Sequence, residues 1–211
     1  MWIDTKGEIV EKESWGNYHL LTIFSPTIAE NAAPGQFVMI RPSAGPSPLL
    51  RRPFSIHERK KDTIGIYFQI AGEGTALLAE KKPGSECDVM GPLGNGFNLE
   101  NLQRGDTVAA VGGGRGIAPL YFLGDELEKR GFSLSVYYGG RTSGDLPLEQ
   151  KFSNRGFPIY CSTDDGSSGF HGLVTDLLLS YLPTARPDHL FVCGPDPMMK
   201  TLSRICLKEK I

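Results

Sequence analysis

Two glycine-bearing patterns lie on either side of the midpoint of this chain. One is Val111-Gly-Gly-Gly-Arg-Gly-Ile-Ala-Pro119, which follows a short apolar run and opens a helix-like stretch. The other joins Arg52-Pro53-Phe54-Ser55 to Gly72-Glu73-Gly74-Thr75. In the first, Gly113, Gly114 and Gly116 permit a tight turn in which backbone N–H groups approach an anion. The helix that follows turns its positive end to that anion. Pro119 fits the first helical turn, where its missing N–H costs nothing. Strand, turn and helix in that order suit the pyrophosphate of a nicotinamide dinucleotide. In the second pattern, Arg52 offers a planar fork for phosphate. Phe54 offers an apolar wall, and Ser55 a hydroxyl for a ring nitrogen. Gly74 and Thr75 open a small helix whose N–H groups suit a diphosphate. Two anion cradles beside an aromatic wall suit FAD better than FMN. Two redox cofactors on one chain mean that electrons pass through it. Strand alternation sends Arg52 and Phe54 to one face and Ser55 to the other, so a loop or bulge is expected among them.

Three further turns fall at the ends of apolar runs. Cys193-Gly194-Pro-Asp-Pro-Met-Met199 should share an edge with Gly114, because ligands of open parallel sheets bind across the strands' carboxyl ends. A small thiol and a glycine there leave room for a flat nicotinamide; Ser55 and Cys193 are the residues expected to flank the two reacting rings. Arg141 follows Gly139-Gly140 and suits a ribose or phosphate oxygen. Thr163-Asp164-Asp165-Gly166 places carboxylates where an adenosine ribose would lie. They accept from its hydroxyls and repel a 2′-phosphate, which favours NADH over NADPH, with Arg141 as the counterweight. Each piece also has a structural reading: a tight βα turn, a helix start over a buried Cys, a surface turn, an edge-strand Arg beside a core Phe, a helix cap.

The elements that must position these residues fall into two grammars. Residues 1–98 read as all-β, with runs at Gly7–Glu11, Tyr18–Phe24, Gln36–Ile40, Phe54–His57, Thr63–Ile70 and Cys87–Met90. Pro42 to Pro53 reads as a loop, Glu58 to Asp62 as a solvated hairpin turn, and Thr75–Lys81 as the one helix of this half. That pattern predicts a small antiparallel barrel. Residues 99–211 alternate: strands at Thr107–Val111, Leu134–Tyr138, Ile159–Cys161 and Leu190–Cys193, helices at Ile117–Lys129, Pro147–Phe152, His171–Leu182 and Asp196–Lys208. Leu173, Leu177, Leu178 and Tyr181 are predicted to share one helix face. The alternation predicts an α/β doubly wound parallel sheet.

Composition removes other classes. A chain of 211 residues with net charge −2 is no candidate for nucleic acid or anionic lipid as main partner. No run approaches the ~20 apolar residues of a membrane span, and the N-terminus lacks an apolar signal region, so a cytoplasmic protein is expected. The four cysteines, Cys87, Cys161, Cys193 and Cys206, include no close pair and read as reduced thiols. None of the four histidines falls in a nucleophile or metal motif.

The ordered set LLRRPFSI, GEGT, GPLGNGF, VGGGRGIAPL, STDDGSSGFHGLVTDLL and VCGPDPMM resembles the ferredoxin-reductase-type flavoproteins over almost the whole chain. Within them it is most similar to the electron-transfer subunits of bacterial dihydroorotate dehydrogenases. The resemblance implies FAD on the barrel, touching Arg52, Pro53, Phe54, Ser55, Tyr67, Phe68, Gln69, Gly74 and Thr75. It implies NADH on the second domain, hydride transfer to the flavin, and a catalytic partner subunit. It also implies a C-terminal cysteine cluster for a [2Fe–2S] centre, which this chain lacks, since Cys206 is a lone thiol near Lys208-Glu-Lys-Ile211. A truncated form and a cluster-less relative are both compatible with that, and a flavin spectrum without an iron–sulfur signature is expected. A stand-alone NAD(P)H-dependent flavin or quinone reductase and a non-catalytic FAD-binding assembly subunit are the alternative functions.

Overall fold

The computed structural model describes residues 2–43, 45 and 48–211. Ala44, Pro46 and Ser47, within the expected 42–53 loop, lie outside the described residues, as does Met1. The chain divides into two compact units, Met1–Phe97 and Asn98–Ile211.

The first unit is a closed six-stranded antiparallel barrel. Its strands are β1 (Trp2–Trp15), β2 (Tyr18–Phe24), β3 (Phe37–Arg41), β4 (Arg52–Arg59), β5 (Thr63–Gln69) and β6 (Glu86–Leu93), in the spatial order β1-β2-β5-β4-β3-β6. Cross-strand pairing sets Leu21 opposite Ile66, Ile23 opposite Ile64, and Ile56 opposite Ile66. It also sets Ile40 opposite Val89. All of these side chains are fully buried and form the barrel core. Period-2 alternation sets one face of β3 and β6 inside, whereas β2 and β5 are apolar runs buried along nearly their whole length.

Two helices belong to this unit: α1 (Pro26–Asn31) and α2 (Glu73–Glu80). The sequence reading predicted only the second. Pro26 opens α1, but six residues are too few to display a helical period. Ser25, which precedes it, donates to Asp4 Oδ2 on β1 at 2.7 Å rather than capping the helix. Of the charge run 58–62, Glu58 and Arg59 end β4 half-buried, and only residues 60–62 form the β4–β5 turn, closed by Lys60 N–H donating to Thr63 O at 3.0 Å.

The second unit is a five-stranded parallel sheet: β7 (Val108–Gly113), β8 (Leu134–Gly140), β9 (Ile159–Thr163), β10 (Phe170–His171) and β11 (His189–Cys193), in the order β10-β9-β8-β7-β11. Its helices are α3 (Ala118–Lys129), α4 (Glu149–Asn154), α5 (Val174–Tyr181) and α6 (Asp196–Glu209). Ala109, Val111 and Tyr137 pack with Leu177, Leu178, Leu202 and Ile205 of α5 and α6. On α3, Phe122 is wholly buried, and Tyr121 meets Phe152 of α4 edge-on at 5.1 Å. The doubly wound sheet predicted from strand–helix alternation is therefore what the chain adopts.

One element departs from the sequence reading. The helix predicted over His171–Leu182 starts only at Val174, because Phe170 and His171 pair with Ser162 and Thr163 as a short strand. Gly172, at φ 138°, then turns the chain. Leu173 precedes the helix and is 56% exposed, so it does not join Leu177 and Leu178 on the buried face.

Replacing Phe122 by Ala should cost about 3–5 kcal/mol, as for a large buried aromatic. Leu207→Ala, at a position 80% exposed, should stay within about 0.5 kcal/mol. Urea titration followed by circular dichroism distinguishes the two.

Candidate dinucleotide and flavin sites

In the second unit the chain winds outward from β7 through β8, β9 and β10, then returns to place β11 on the other side of β7. The carboxyl ends of β7 and β11 therefore bound a topological switch point, where open α/β sheets bind ligands. Cys193 pairs with Gly112 there, as the sequence reading anticipated in placing Cys193 and Gly194 at the edge of Gly114.

The glycines at this edge do different work from one another. A Cβ on Gly116 would run into the backbone carbonyl of Cys193 and the Cα of Gly194. One on Gly113 would lie 2.7 Å from Met198 Sδ and 2.9 Å from Pro195 Cδ, and one on Gly112 would lie 2.8 Å from Ile117 Cα. Gly116 and Gly113 are glycine because two βα turns are packed against each other, and Gly112 because the turn that follows β7 folds back over it. Gly114 alone combines a left-handed φ of 53° with open space around its Cα. It begins a short 3₁₀ turn (Gly114–Ile117) that leads into α3, with Pro119 in the first turn.

Further along the same edge, Arg141 follows β8 with its side chain 82% exposed and its Nε 3.8 Å from Asp145 Oδ2. Asp164 and Asp165 follow β9, and their N–H groups donate to Gly140 O and Arg141 O at 3.1 and 3.2 Å. The two carboxylates differ. Asp165 accepts the Ser167 N–H and hydroxyl, and those hydrogen bonds hold its carboxyl below the usual carboxylate range. Asp164 is exposed. Sequence reasoning treated the pair as equivalent; the Asx-turn signal in Asp165-Gly-Ser167 would have separated them.

In the barrel, Arg52 to Ser55 pair regularly with β3, from Ile40 opposite Arg52 to Phe37 opposite Ser55. The bulge expected among them lies instead between Ile56 and Glu58, against β5. Alternation therefore holds at the motif. Phe54 is buried 5.3 Å from Phe68, while Ser55 is half-buried and Pro53 exposed. On β5, Tyr67 stacks on Tyr18 at 5.8 Å and is buried, as is Phe68; Gln69 is half-buried at the strand end.

The two neighbouring arginines part company. Arg51 is consumed by β6: its Nη2 lies 2.8 Å from Asp88 Oδ2 and its Nη1 donates to Asp88 O. Arg52 donates to Leu50 O at 2.8 Å, and among the described residues no carboxylate lies within ion-pair distance of it. Its side chain crosses the first turn of α2, where a Cβ on Gly74 would lie 3.1 Å from Arg52 Nε and 3.2 Å from Pro42 Cγ. Thr75 Oγ1 accepts the N–H groups of Ala71 and Gly72 and donates to Gly72 O. The N–H groups of Glu73, Gly74 and Thr75, in the first helical turn, have no intrahelical acceptor. The two cradles read from the sequence are thus one: an unpaired guanidinium over an open helix start. That donor set fits a diphosphate.

The thiols do not fit an iron–sulfur cluster. Cys87 lies in β6, Cys161 in β9, Cys193 at the end of β11 and Cys206 in α6, and among the described residues no three metal-ligating side chains converge. Burial pushes Cys87 and Cys161 up to about 12 and raises Cys193 and Cys206 as well. The thiolate is the nucleophile, so at pH 8 a thiol at about 12 is ionised in roughly one molecule in 10,000. Alkylation of the native protein should therefore reach half-buried Cys206 and Cys193 first, with Cys87 and Cys161 labelled only in denaturant; mass spectrometry reads the order. Gly116→Ala should separate the two βα turns and lower the urea midpoint of the second unit, a loss absent from Gly114→Asn, since Asn tolerates a left-handed φ.

A family model described as "Oxidoreductase NAD-binding domain" matches residues 110–204. A dihydroorotate dehydrogenase B (NAD(+)) electron transfer subunit from Desulforamulus reducens is 39% identical over 197 residues, covering 92% of this chain and 74% of the relative. One from Bacillus caldolyticus is 42% identical over 185 residues, covering 87% and 71%. A solved structure of an NADH-dependent reduced ferredoxin-NADP oxidoreductase, described for flavin-based electron bifurcation, aligns with a TM-score of 0.83 at 31% identity, over 95% of this chain and 72% of that one. A ferredoxin NADP+ reductase from Neisseria gonorrhoeae, solved with FAD and NADP, shares the fold at a TM-score of 0.81 and 18% identity, over 98% of this chain and 91% of that one. With a barrel followed by a switch-point sheet, and with that identity over most of both chains, this chain belongs to the family of dihydroorotate dehydrogenase B (NAD(+)) electron transfer subunits.

Proposed function

We propose that this chain binds FAD on its barrel, takes hydride from NADH held at the switch point, and passes the electrons to the catalytic subunit of a dihydroorotate dehydrogenase. The observation that carries the flavin half is Arg52, which among the described residues has no carboxylate within ion-pair distance and which lies against Gly74 in the first turn of α2. When bound, FAD supplies an isoalloxazine ring that accepts hydride and releases electrons to an acceptor. The protein's own part is placement.

Arg52 and the N–H groups of Glu73, Gly74 and Thr75 hold the diphosphate, with Thr75 locking the loop that precedes the helix. Pro53, Ser55 and Gln69 would face the flavin from the ends of β4 and β5, with Phe54, Tyr67 and Phe68 buried behind them. Phe54 and Phe68 support it from inside the barrel, and the half-buried Ser55 and Gln69 offer polar contacts. In the second unit, Gly113, Gly114 and Gly116 shape the turn at the dinucleotide pyrophosphate, and Cys193 and Gly194 leave space for the nicotinamide. No side chain of this chain would be needed as a general base for hydride transfer between bound cofactors.

Asp164 is the carboxylate that selects NADH. It stands exposed near Arg141 and is the free member of its pair. A 2′-phosphate beside it meets like charge in a solvated setting, a penalty of about 1 kcal/mol, or several-fold in affinity.

The purified protein should be yellow, and the released chromophore should run as FAD on chromatography; FMN would overturn the diphosphate assignment. Losing charge-assisted hydrogen bonds of about 1.5–3 kcal/mol, Arg52→Ala should retain flavin about 10- to 100-fold more weakly. Arg52→Lys, which keeps the charge but not the fork, should fall between. In stopped-flow measurements NADH should reduce the flavin faster than NADPH at equal concentration, and equal or inverted rates would remove the role given to Asp164.

A further inference from the structure

The loop after β9 and the loop after β8 are joined side chain to backbone at one point. The Ser143 N–H donates to Ser167 Oγ at 2.8 Å. The Ser167 hydroxyl in turn gives its proton to Asp165 Oδ1 at 2.6 Å, and the Ser167 N–H donates to the same oxygen at 2.9 Å. The result is a directed chain on the exposed edge of the sheet, from Ser143 N–H through the serine hydroxyl to a carboxylate. On the β8 side, Asp145 Oδ2 accepts the N–H groups of Arg141 and Thr142 at 3.2 and 3.3 Å, fixing the backbone that leads to Ser143. On the β9 side, the Asp164 and Asp165 N–H groups reach Gly140 O and Arg141 O. Arg141 and Asp164 therefore sit on two loops clasped at both ends: backbone bonds where the loops leave the sheet, and Ser167 farther out.

Only a hydroxyl does what Ser167 does here. It accepts from one loop and donates within the other, so its removal deprives Ser143 of its acceptor and Asp165 of its short bond. The backbone bonds from Asp164 and Asp165 remain, and so does the Ser167 N–H bond to Asp165, so the loop loses its tie to Ser143 without losing its turn.

We propose that Ser167 is a positioning residue for dinucleotide selection: its bridge between Ser143 and Asp165 holds together the outer parts of the two loops that carry Arg141 and Asp164, and through that the preference for NADH over NADPH. The proposal rests on the reading of Asp164 as the discriminating carboxylate. It differs from that reading in assigning the discrimination to a geometry set by a residue that touches neither ribose hydroxyl.

The test measures NAD+ and NADP+ binding to the FAD-loaded protein by calorimetry, alongside stopped-flow reduction by NADH and NADPH. Ser167→Ala should weaken NAD+ about 3- to 10-fold, with NADP+ changed less, so that the preference narrows; the kinetic change should fall mainly on the half-saturating NADH concentration rather than on the limiting rate. Ser167→Thr, which keeps the hydroxyl, should restore the preference. In the Asp164→Ser background, Ser167→Ala should narrow the preference no further, because the two act as one unit. A preference that moves with Asp164→Ser but not with Ser167→Ala overturns the positioning role alone, as does an additive double variant, which would mean that Ser167 meets the dinucleotide itself. If Asp164→Ser leaves the preference unmoved, the ribose reading fails and the positioning role with it. Equal weakening of both dinucleotides, with a lowered urea midpoint, marks Ser167 as merely structural and overturns the proposal too.

Discussion

Gly116 lies against the carbonyl of Cys193 so closely that no side chain fits between them. That approach is where the second unit is closed: the turn after β7 and the turn after β11 touch backbone to backbone. The same contact explains why residues as distant in sequence as Gly116 and Cys193 shape one edge. Because β11 returns beside β7 rather than continuing outward past β10, the two turns diverge into α3 and α6 and leave a crevice at the strands' carboxyl ends. Met198 and Pro195, packed on Gly113, hold the α6 turn at that distance. The glycines there serve this packing first, and Gly114, open and left-handed, is the one whose backbone remains free to face an anion.

The barrel answers a different electrostatic problem. Two adjacent arginines repel, and the fold separates their roles: Asp88 pairs with Arg51, while among the described residues no carboxylate lies within ion-pair distance of Arg52. Arg52 is then placed over a helix start, where the partial positive charge of α2 adds to its own. The Glu73 carboxylate of the same turn offsets part of that charge, and the donors gathered there suit the anion of the proposed function.

Much of this was legible in the sequence because it lies in local pattern. Short alternating or apolar runs gave the barrel strands, strand–helix alternation gave the doubly wound sheet, and the position of Cys193 followed from the rule that parallel sheets bind at their carboxyl ends. What escaped was set by long-range partners. Nothing local to Arg51 and Arg52 says which one meets Asp88 across the barrel. The bulge anticipated near Ser55 sits by His57, because β5 rather than β3 imposes it. Helix α5 starts late because Phe170 and His171 find a strand partner in β9. Leu173, apolar and in register, is left outside by the same pairing. The inequality of Asp164 and Asp165 depends on Ser167 folding back by two residues, a local event that composition alone does not report.

The central claim is that one chain holds both cofactors so that hydride crosses between them. An anaerobic titration of the purified protein with NADH, followed at the flavin absorption bands, tests it most directly. The account predicts that the bands bleach in proportion to added NADH and are gone at one NADH per FAD. A flavin that stays oxidised in excess NADH would contradict it, and would leave the chain a binder of FAD rather than a conductor of electrons.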